Sequence, residues 1–405
     1  MANNILTIDM ITNKSLEILE NSLVISRNVN RQYDDSFAVE GAKIGTTLRI
    51  RLPDRALPTW GAALQVQAEN QQYTTLTVAK QIHIGVNFTT AELTMQLDEF
   101  ADRVLKPRIS QIAAAIDQEV ATEFYNIGNS VGFPGQTPST SLVLLQGQQK
   151  LDEFATPRGS RYVTVNPAAN AGLVEGLKGL LNPVDVISRQ FKSGDMGEHV
   201  FGYDEVNMSQ SIGRFTTGSW PATGTTVSSS VASDGVSQIT LAFTGSNAVT
   251  VNRGDVFTVA GTYAVNPQTR QRTSSLYQFV ALEPVTSSGS PQTATVVVYP
   301  IFQASNALAT VDVLPAATSA VTFWGSPSTS YAQNLIYHKD AITLATADLI
   351  MPRGVDMASR AVHNGISLRV VRQYDINNDR LPCRIDVLFG VSTIRPVTAV
   401  RLWGE

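Results

Sequence analysis

The feature that most constrains the fold of this chain is a long stretch with almost no charge. From Phe215 to Tyr337 the sequence is rich in Ser, Thr, Val and Gly, and strand-like runs recur at 238–244, 256–260, 276–282 and 293–299. Its only charged residues are Asp234, Arg253, Asp255, Arg270, Arg272, Glu283 and Asp312. Short strands separated by turn residues predict a small β-barrel or sandwich.

Helical patterns occur on both sides of this stretch, so it is predicted to be a domain inserted into a larger α+β body. Residues 98–125 carry an apolar stripe at spacings of three and four, which predicts a long helix that Pro107 either kinks or divides from its longer part. Residues 7–26 predict an amphipathic helix whose apolar face holds Leu16, Leu19 and Leu23. That helix either packs on its own domain or lies as an arm across a neighbouring subunit.

Residues 46–53 and 76–88 both alternate apolar and polar side chains, and Lys80 interrupts the second apolar row. They predict the two strands of an antiparallel hairpin. The connection 54–75 is too long for a tight turn, and it carries Trp60 and Tyr73 with few charges. We therefore expect a projection that a sister subunit covers. The predicted contacts between subunits are Leu16, Leu19, Leu23, Arg49, Arg51, Arg55, Trp60, Tyr73 and Lys80.

Composition sets outer limits on the function. Charged residues make up 16% of the 405 positions, against roughly 25% in a typical soluble domain. The net charge of −4 argues against a nucleic-acid binder with a basic face, although it is compatible with a wall that encloses DNA without adhering to it. The single cysteine excludes an intrachain disulfide, and no leader or membrane-spanning pattern is seen. We expect a protein made in a cytoplasm.

Motifs for catalysis, cofactor binding or metal binding are missing from the sequence. It has no phosphate-binding loop, dinucleotide fingerprint, zinc-protease helix or nucleophile elbow, and its four histidines are scattered singly. The tripeptide Arg253-Gly254-Asp255 directly precedes an apolar strand, so it is interpreted as a turn. Cys383, inside an apolar strand, is predicted to be a buried, inert thiol. We predict no catalytic residue, no cofactor and no metal.

Several passages, in order, resemble coat proteins of tailed bacteriophages with the Hong Kong 97-type fold. Residues 29–34 resemble the family's N-terminal arm, 41–53 and 76–90 its extended loop, and 98–126 its spine helix. Residues 334–341 are similar to its re-entry into the central domain, and 384–396 to its closing strand with a Gly-x-x-x-x-Arg-Pro turn. The segment 252–261 is similar to a strand of the telokin-like inserted domain of the Salmonella podovirus type.

The resemblance implies a Hong Kong 97-type capsid fold with an inserted small all-β barrel domain. Its expected parts are an N-terminal arm 1–36, an extended loop 37–90, a peripheral domain 91–138, a first central part 139–215, the inserted domain 216–333 and a return 334–405. It also implies a major capsid protein whose copies form hexamers and pentamers of an icosahedral shell. The expected partners are a scaffolding protein, a portal and double-stranded DNA, and no membrane.

Three other functions stay open at this point. An encapsulin-like nanocompartment shell shares the fold, and it would need a cargo enzyme encoded nearby. A β-rich binding or adhesion protein would display residues 216–333 on an α/β base. A hydrolase could assemble its site from residues distant in sequence. A monomer in solution that binds glycan would support the adhesion protein. The most informative observation is negative-stain microscopy of the expressed protein, in search of closed or spiral shells.

Overall fold

The computed structural model describes residues 8–34, 47–53, 55–66, 72–88, 101–176, 196–305, 307–377 and 381–404. The α-helices of this part are α1 (Ile8–Ser22), α2 (Ile25–Asn28), α3 (Lys106–Thr122), α4 (Ser141–Glu153) and α5 (Pro167–Gly176). A π-helical turn, Ala101–Leu105, precedes α3, and 3-10 turns span Glu123–Asn126, Lys339–Ala341 and Pro396–Thr398. None of the helices described is long and apolar enough to cross a membrane.

Strands dominate the described chain. Before the charge-poor stretch they are β1 (Asn30–Asp34), β2 (Thr47–Arg51), β3 (Tyr73–Thr77), β4 (Lys80–Phe88), β5 (Ser130–Val131), β6 (Arg161–Val165), β7 (Gly197–Val200), β8 (Tyr203–Met208) and β9 (Arg214–Thr216). Within it they are β10 (Thr226–Val227), β11 (Val236–Phe243), β12 (Thr250–Val251), β13 (Val256–Val265), β14 (Arg272–Ala281), β15 (Val285–Thr286), β16 (Gln292–Phe302), β17 (Val321–Phe323) and β18 (Ser330–Ala332). After it come β19 (Leu335–His338), β20 (Ile342–Ala347), β21 (Met357–His363), β22 (Ile366–Arg372), β23 (Leu381–Thr393) and β24 (Ala399–Leu402).

The chain divides into two compact units. The first comprises 1–51, 73–121 and 342–394, and the second comprises 52–72, 122–341 and 395–405. Each unit is therefore built from segments that are far apart in sequence. Helices and strands occur together in both, which confirms the predicted α+β class.

The first unit is organised around one mixed sheet with the order β1-β20-β23-β22-β21, in which β4 also pairs with β23. Strand β1 runs parallel to β20, and the other pairs are antiparallel. Helix α3 buries the predicted apolar stripe. The exposed fraction is at most 2% for each of its side chains, Ile109, Ile112, Ile116 and Val120. The prediction of a long helix here is confirmed over the described residues.

Helix α2 is held to α3 by a buried carboxylate. Asp117 of α3 accepts hydrogen bonds from the backbone N–H groups of Val24 (2.8 Å), Ile25 (3.3 Å) and Ser26 (2.9 Å), and from Oγ of Ser26 (2.6 Å). These N–H groups open a helix, where no intrahelical acceptor is available to them. The side chain of Asp117 thus acts as the N-terminal cap of α2 from a distant part of the chain.

The segment 76–88, predicted to be the second strand of the hairpin, belongs to two separate strands, β3 and β4. Residues 73–77 pair with β2, whereas residues 80–88 pair with β23 in the main sheet. The predicted single strand 76–88 is therefore wrong, because the chain changes partner between Val78 and Lys80. The hairpin packs closely on β23: a Cβ on Gly390 would lie 2.1 Å from the carbonyl oxygen of Thr77. Only glycine permits this approach.

The second unit contains a sheet with the order β5-β24-β19-β6-β8-β7. Helices α4 and α5 contribute Val143, Leu144, Leu151, Ala169 and Leu173 to its core, together with Ile336 of β19. The edge strand β7 begins at Gly197 and pairs antiparallel with β8.

The charge-poor stretch forms a barrel with the strand order β10-β11-β16-β14-β13-β17. Backbone hydrogen bonds close it, since Val227 N donates to Ser319 O (2.9 Å) and Thr318 N donates to Val227 O (2.9 Å). Its core is aromatic, and the rings of Trp220 and Phe323 stack at 4.7 Å. Strands β9 and β18 pair at the base, where the chain enters and leaves the barrel. The predicted β-barrel is confirmed.

Candidate assembly surfaces

The connection between β2 and β3 presents an apolar surface to solvent. Trp60 is 97% exposed, Leu64 90% and Val66 86%. Monomeric soluble proteins seldom leave large apolar side chains this open next to one another. We call residues 55–66 the projecting loop, and its exposure is what the sequence predicted for this segment.

Basic residues come shortly before the projecting loop in the sequence. Arg49 and Arg51 are both exposed and, being two positions apart on β2, they point to the same face of the hairpin. The guanidinium carbon of Arg49 lies 4.4 Å from the ring centre of Tyr73, which is half exposed. This cation–π contact holds Arg49 extended along the hairpin. Arg55, at the start of the loop, is partly buried.

The other residues predicted to contact a neighbouring subunit make contacts within their own chain. Leu16, Leu19 and Leu23 are 4%, 0% and 2% exposed, and α1 packs against β21 and β22 of its own unit. In the described part of the chain these three side chains are covered by their own unit, so their role as contacts between subunits gains no support and stays a prediction. The interpretation in which the helix packs on its own domain holds. Lys80 forms an ion pair with Glu119 of α3.

The buried side chain of Arg401 joins three backbone segments at the base of the barrel. Arg401 of β24 donates from Nε to the carbonyl oxygen of Phe124 (3.1 Å), from Nη2 to that of Tyr125 (2.8 Å) and from Nη1 to that of Gly254 (2.9 Å). Its guanidinium also lies 5.3 Å from the ring centre of Phe215. Burial lowers the pKa of Arg401 to about 10, and the nearby Asp255 partly opposes that shift. A charged side chain thus joins segments that are far apart in sequence.

The turn 252–255 completes this base. Gly254 has φ +96°, and a Cβ there would lie 3.0 Å from the Phe215 ring and 3.1 Å from Cβ of Tyr125, so glycine is required. Asp255, 1% exposed, accepts hydrogen bonds from the N–H groups of Asn252 (2.8 Å) and Gly218 (3.1 Å). The sequence predicted a turn here, which is confirmed. It did not reveal the role of Arg401, because a lone arginine in a strand carries no local signal.

The other groups with possible chemistry are buried or scattered. Burial raises the pKa of the Cys383 thiol to about 12, as expected for an inert side chain. In the part of the chain that the structure describes, no three His, Cys, Asp or Glu side chains come close enough together to hold a metal ion.

Comparison with known proteins identifies the family. The family model described as "P22 coat protein - gene protein 5" matches residues 1–404. The chain belongs to the P22 coat protein family. No curated protein matches the sequence.

Three solved structures illustrate what this chain of the P22 coat protein family is similar to. That of Mycobacterium phage Che8 is 11% identical, with a TM-score of 0.44, over 94% of this chain and 90% of that one. The capsid of cyanophage P-SCSP1u is 10% identical, with a TM-score of 0.45, over 95% and 89%. The CUS-3 coat protein I-domain is 25% identical, with a TM-score of 0.20, over 26% of this chain and 98% of that one.

Membership of the P22 coat protein family establishes the general function of the chain. The chain is a major capsid protein that forms the shell of a phage, and many copies of it assemble. It is a structural protein of the virion capsid. The surfaces described above are therefore candidates for the contacts by which one copy holds the next.

Proposed function

We propose that the projecting loop is the main apolar grip by which one subunit holds its neighbour in the shell. The observation that supports this is the near-complete exposure of Trp60, Leu64 and Val66. Covering one such side chain contributes about 1.5–3 kcal/mol. Three of them would give a gross gain on the order of 5 kcal/mol per contact before the cost of association is met.

A weak single contact suits a closed shell. Identical contacts repeated by symmetry hold each other in place, so that the whole persists while any one contact can open. Arg49 and Arg51 would pair with acidic groups of the neighbour at the edge of this grip. Exposed ion pairs contribute only about 0–1 kcal/mol each, so they would set the register of the contact more than its strength.

The finer course of assembly belongs to the same proposal. The subunits would first form a precursor shell around a scaffolding protein in the host cytoplasm. That shell would then mature as double-stranded DNA enters through a portal. The net charge of −4 supports a wall that does not bind phosphates strongly.

The double variant W60A/L64A tests the grip. We expect monomers whose circular dichroism and urea unfolding match the parent chain, because both side chains are exposed. Assembly, followed by sedimentation velocity and negative-stain microscopy, should be lost. The control is V313A, which removes a side chain that is 57% exposed on the inserted barrel. Normal shells from W60A/L64A would refute the proposal.

A further inference from the structure

The sequence contains a single asparagine followed by glycine, Asn364-Gly365. These two residues form the turn between β21 and β22, where His363 pairs with Ile366. Asn364 has φ +46° and Gly365 has φ +74°, as a two-residue turn of type I′ requires. Asn-Gly is also a chemically labile pair, because glycine has no side chain to keep its backbone nitrogen away from the amide carbon of the preceding asparagine.

Three side chains of the same unit hold this turn. Nδ2 of Asn364 donates a hydrogen bond to Oε1 of Glu20 on α1. Nη1 of Arg31 donates to the carbonyl oxygen of Asn364 (3.3 Å), and Oγ1 of Thr346 on β20 donates to that of Gly365 (2.7 Å). An amide held in this way cannot swing towards the Gly365 nitrogen, so a reaction between them has to await a local opening of the turn.

The amide of Asn364 lies in a cluster of charged groups. Oε1 of Glu20 is 3.5 Å from Nη1 of Arg31, and Oε2 of Glu20 is 3.1 Å from Nε2 of His363. The side chains of Glu20 and Arg31 are 20% and 12% exposed, so water screens this cluster only in part. A carboxylate in place of the Asn364 amide would meet the Glu20 carboxylate at contact distance, and the two would repel each other.

We propose that Asn364 is a site of spontaneous deamidation, and that this reaction loosens α1 from the hairpin of β21 and β22. When the turn opens, hydroxide removes the proton of the Gly365 nitrogen, and that nitrogen forms a bond to Cγ of Asn364. The C–N bond of the side-chain amide breaks, and its nitrogen leaves as ammonia with a proton taken from water. Water then opens the cyclic imide at one of its two carbonyl groups, which yields aspartate or isoaspartate.

Either product changes the contact with α1. The amide donor to Glu20 is replaced by a carboxylate, and isoaspartate also adds a backbone carbon to a turn whose length sets the register of the strands. Helix α1 packs against both strands of this hairpin, so the repulsion acts directly on it. A subunit in a closed shell is not replaced, and the change would therefore accumulate as the virion ages. The reaction does not depend on the projecting loop, and it can be followed in the free subunit.

The test incubates the full chain in mildly alkaline buffer, both folded and in urea, and maps its peptides by mass spectrometry after digestion at acidic pH. We expect the Asn364 amide to become a carboxyl group in both samples, more slowly in the folded chain, and an isoaspartyl methyltransferase should label the isoaspartate. E20A removes the acceptor of the amide and should raise the rate in the folded chain by about fivefold, with no change in urea. E17A, on the same helix, removes an exposed carboxylate and should change neither rate.

T346V removes another contact that holds the turn, and it replaces E20A if that variant fails to fold, with the same expected acceleration of about fivefold. N364D mimics the product: hydrogen exchange at the amides of α1 should become about fivefold faster, and the double variant E20Q/N364D should return it to near the parent rate. A folded chain that keeps the Asn364 amide while the chain in urea converts would overturn the proposal, as would E20A and T346V both reacting like the parent chain. Exchange in N364D equal to that of the parent would rule out the loosening of α1.

Discussion

The Nη1 atom of Arg401 lies 2.9 Å from the carbonyl oxygen of Gly254. This single hydrogen bond joins strand β24 to the turn that opens β13 of the inserted barrel. The same guanidinium holds the carbonyl groups of Phe124 and Tyr125, at the end of the long helical segment. The orientation of the barrel base is thus set by a residue that lies outside the barrel.

Replacing Arg401 should destabilise the fold more than a typical surface change. R401M keeps much of the apolar stem but removes the guanidinium donors from three carbonyl oxygens, of which that of Phe124 also accepts from the N–H of Ile127 (3.3 Å). Each unsatisfied buried group costs about 1–3 kcal/mol, so we expect the free energy of unfolding to fall by about 3 kcal/mol or more. Urea denaturation measures this. The control R158M should change it by less than about 1 kcal/mol, and equal effects of the two variants would contradict the role assigned to Arg401.

Asp255 should make stability depend on pH. Burial raises its pKa from 3.8 to about 6, against the opposing effect of hydrogen bonds from Asn252 and Gly218. The folded chain therefore holds this proton more tightly than the unfolded chain does. The resulting stabilisation is fully present below about pH 4 and is lost as the pH rises through about 6, by roughly 3 kcal/mol in total.

The variant D255N isolates this effect because an amide does not titrate in that range. Its free energy of unfolding, relative to that of the parent chain, should increase by roughly 3 kcal/mol from about pH 4 to about pH 7. Urea unfolding at several pH values gives the difference directly. E17Q, at a carboxylate that is 60% exposed, serves as the control. A difference between D255N and the parent that does not vary with pH would exclude the raised pKa.

Removing the carboxylate of Asp117 should release the segment around α2. D117A leaves the N–H groups of Val24 and Ser26 without an acceptor, so we expect a loss of about 2–4 kcal/mol. Hydrogen exchange at residues 24–26 should accelerate as well. Two positions along the same helix, E119A removes an exposed ion pair with Lys80 and should cost no more than about 1 kcal/mol. Unchanged exchange in D117A would show that α2 is held by other contacts.

The thiol of Cys383 should be unreactive in the folded protein. It is 3% exposed, and burial raises its pKa to about 12, so almost no thiolate forms near neutral pH. A chromogenic disulfide reagent should therefore label no thiol in the native chain and one per chain in urea. Rapid labelling of the native protein would place Cys383 on an accessible edge of β23.

Local periodicity predicted those elements whose covered face is continuous. The stripe Ile109, Ile112, Ile116 and Val120 identified α3 because every third or fourth position is buried against one layer. The same reasoning failed at 76–88, where alternate positions stay covered although the strand changes partner. Alternation records which side of a strand is covered, and it does not record which strand lies alongside.

The polar contacts that fix the architecture could not be predicted from local sequence. Arg401 and Phe124 are 277 positions apart, and Asp117 and Val24 are 93 apart. A charged residue met in sequence is expected on the surface, since most are exposed. The exposure of the projecting loop, in contrast, could be predicted, because the length of the loop and its lack of charge can be read from one short stretch of sequence.

The position of β24 between β5 and β19 has a consequence for how the protein is made. A ribosome delivers the strands of the barrel, and both flanking strands, well before residues 399–402 emerge. Until then β5 and β19 lack the strand that pairs with both of them, so that each has an open edge that invites pairing with other nascent chains. Yield in the host should therefore depend on how promptly residues 399–402 are synthesised and on temperature during synthesis, more than on the stability of the finished subunit.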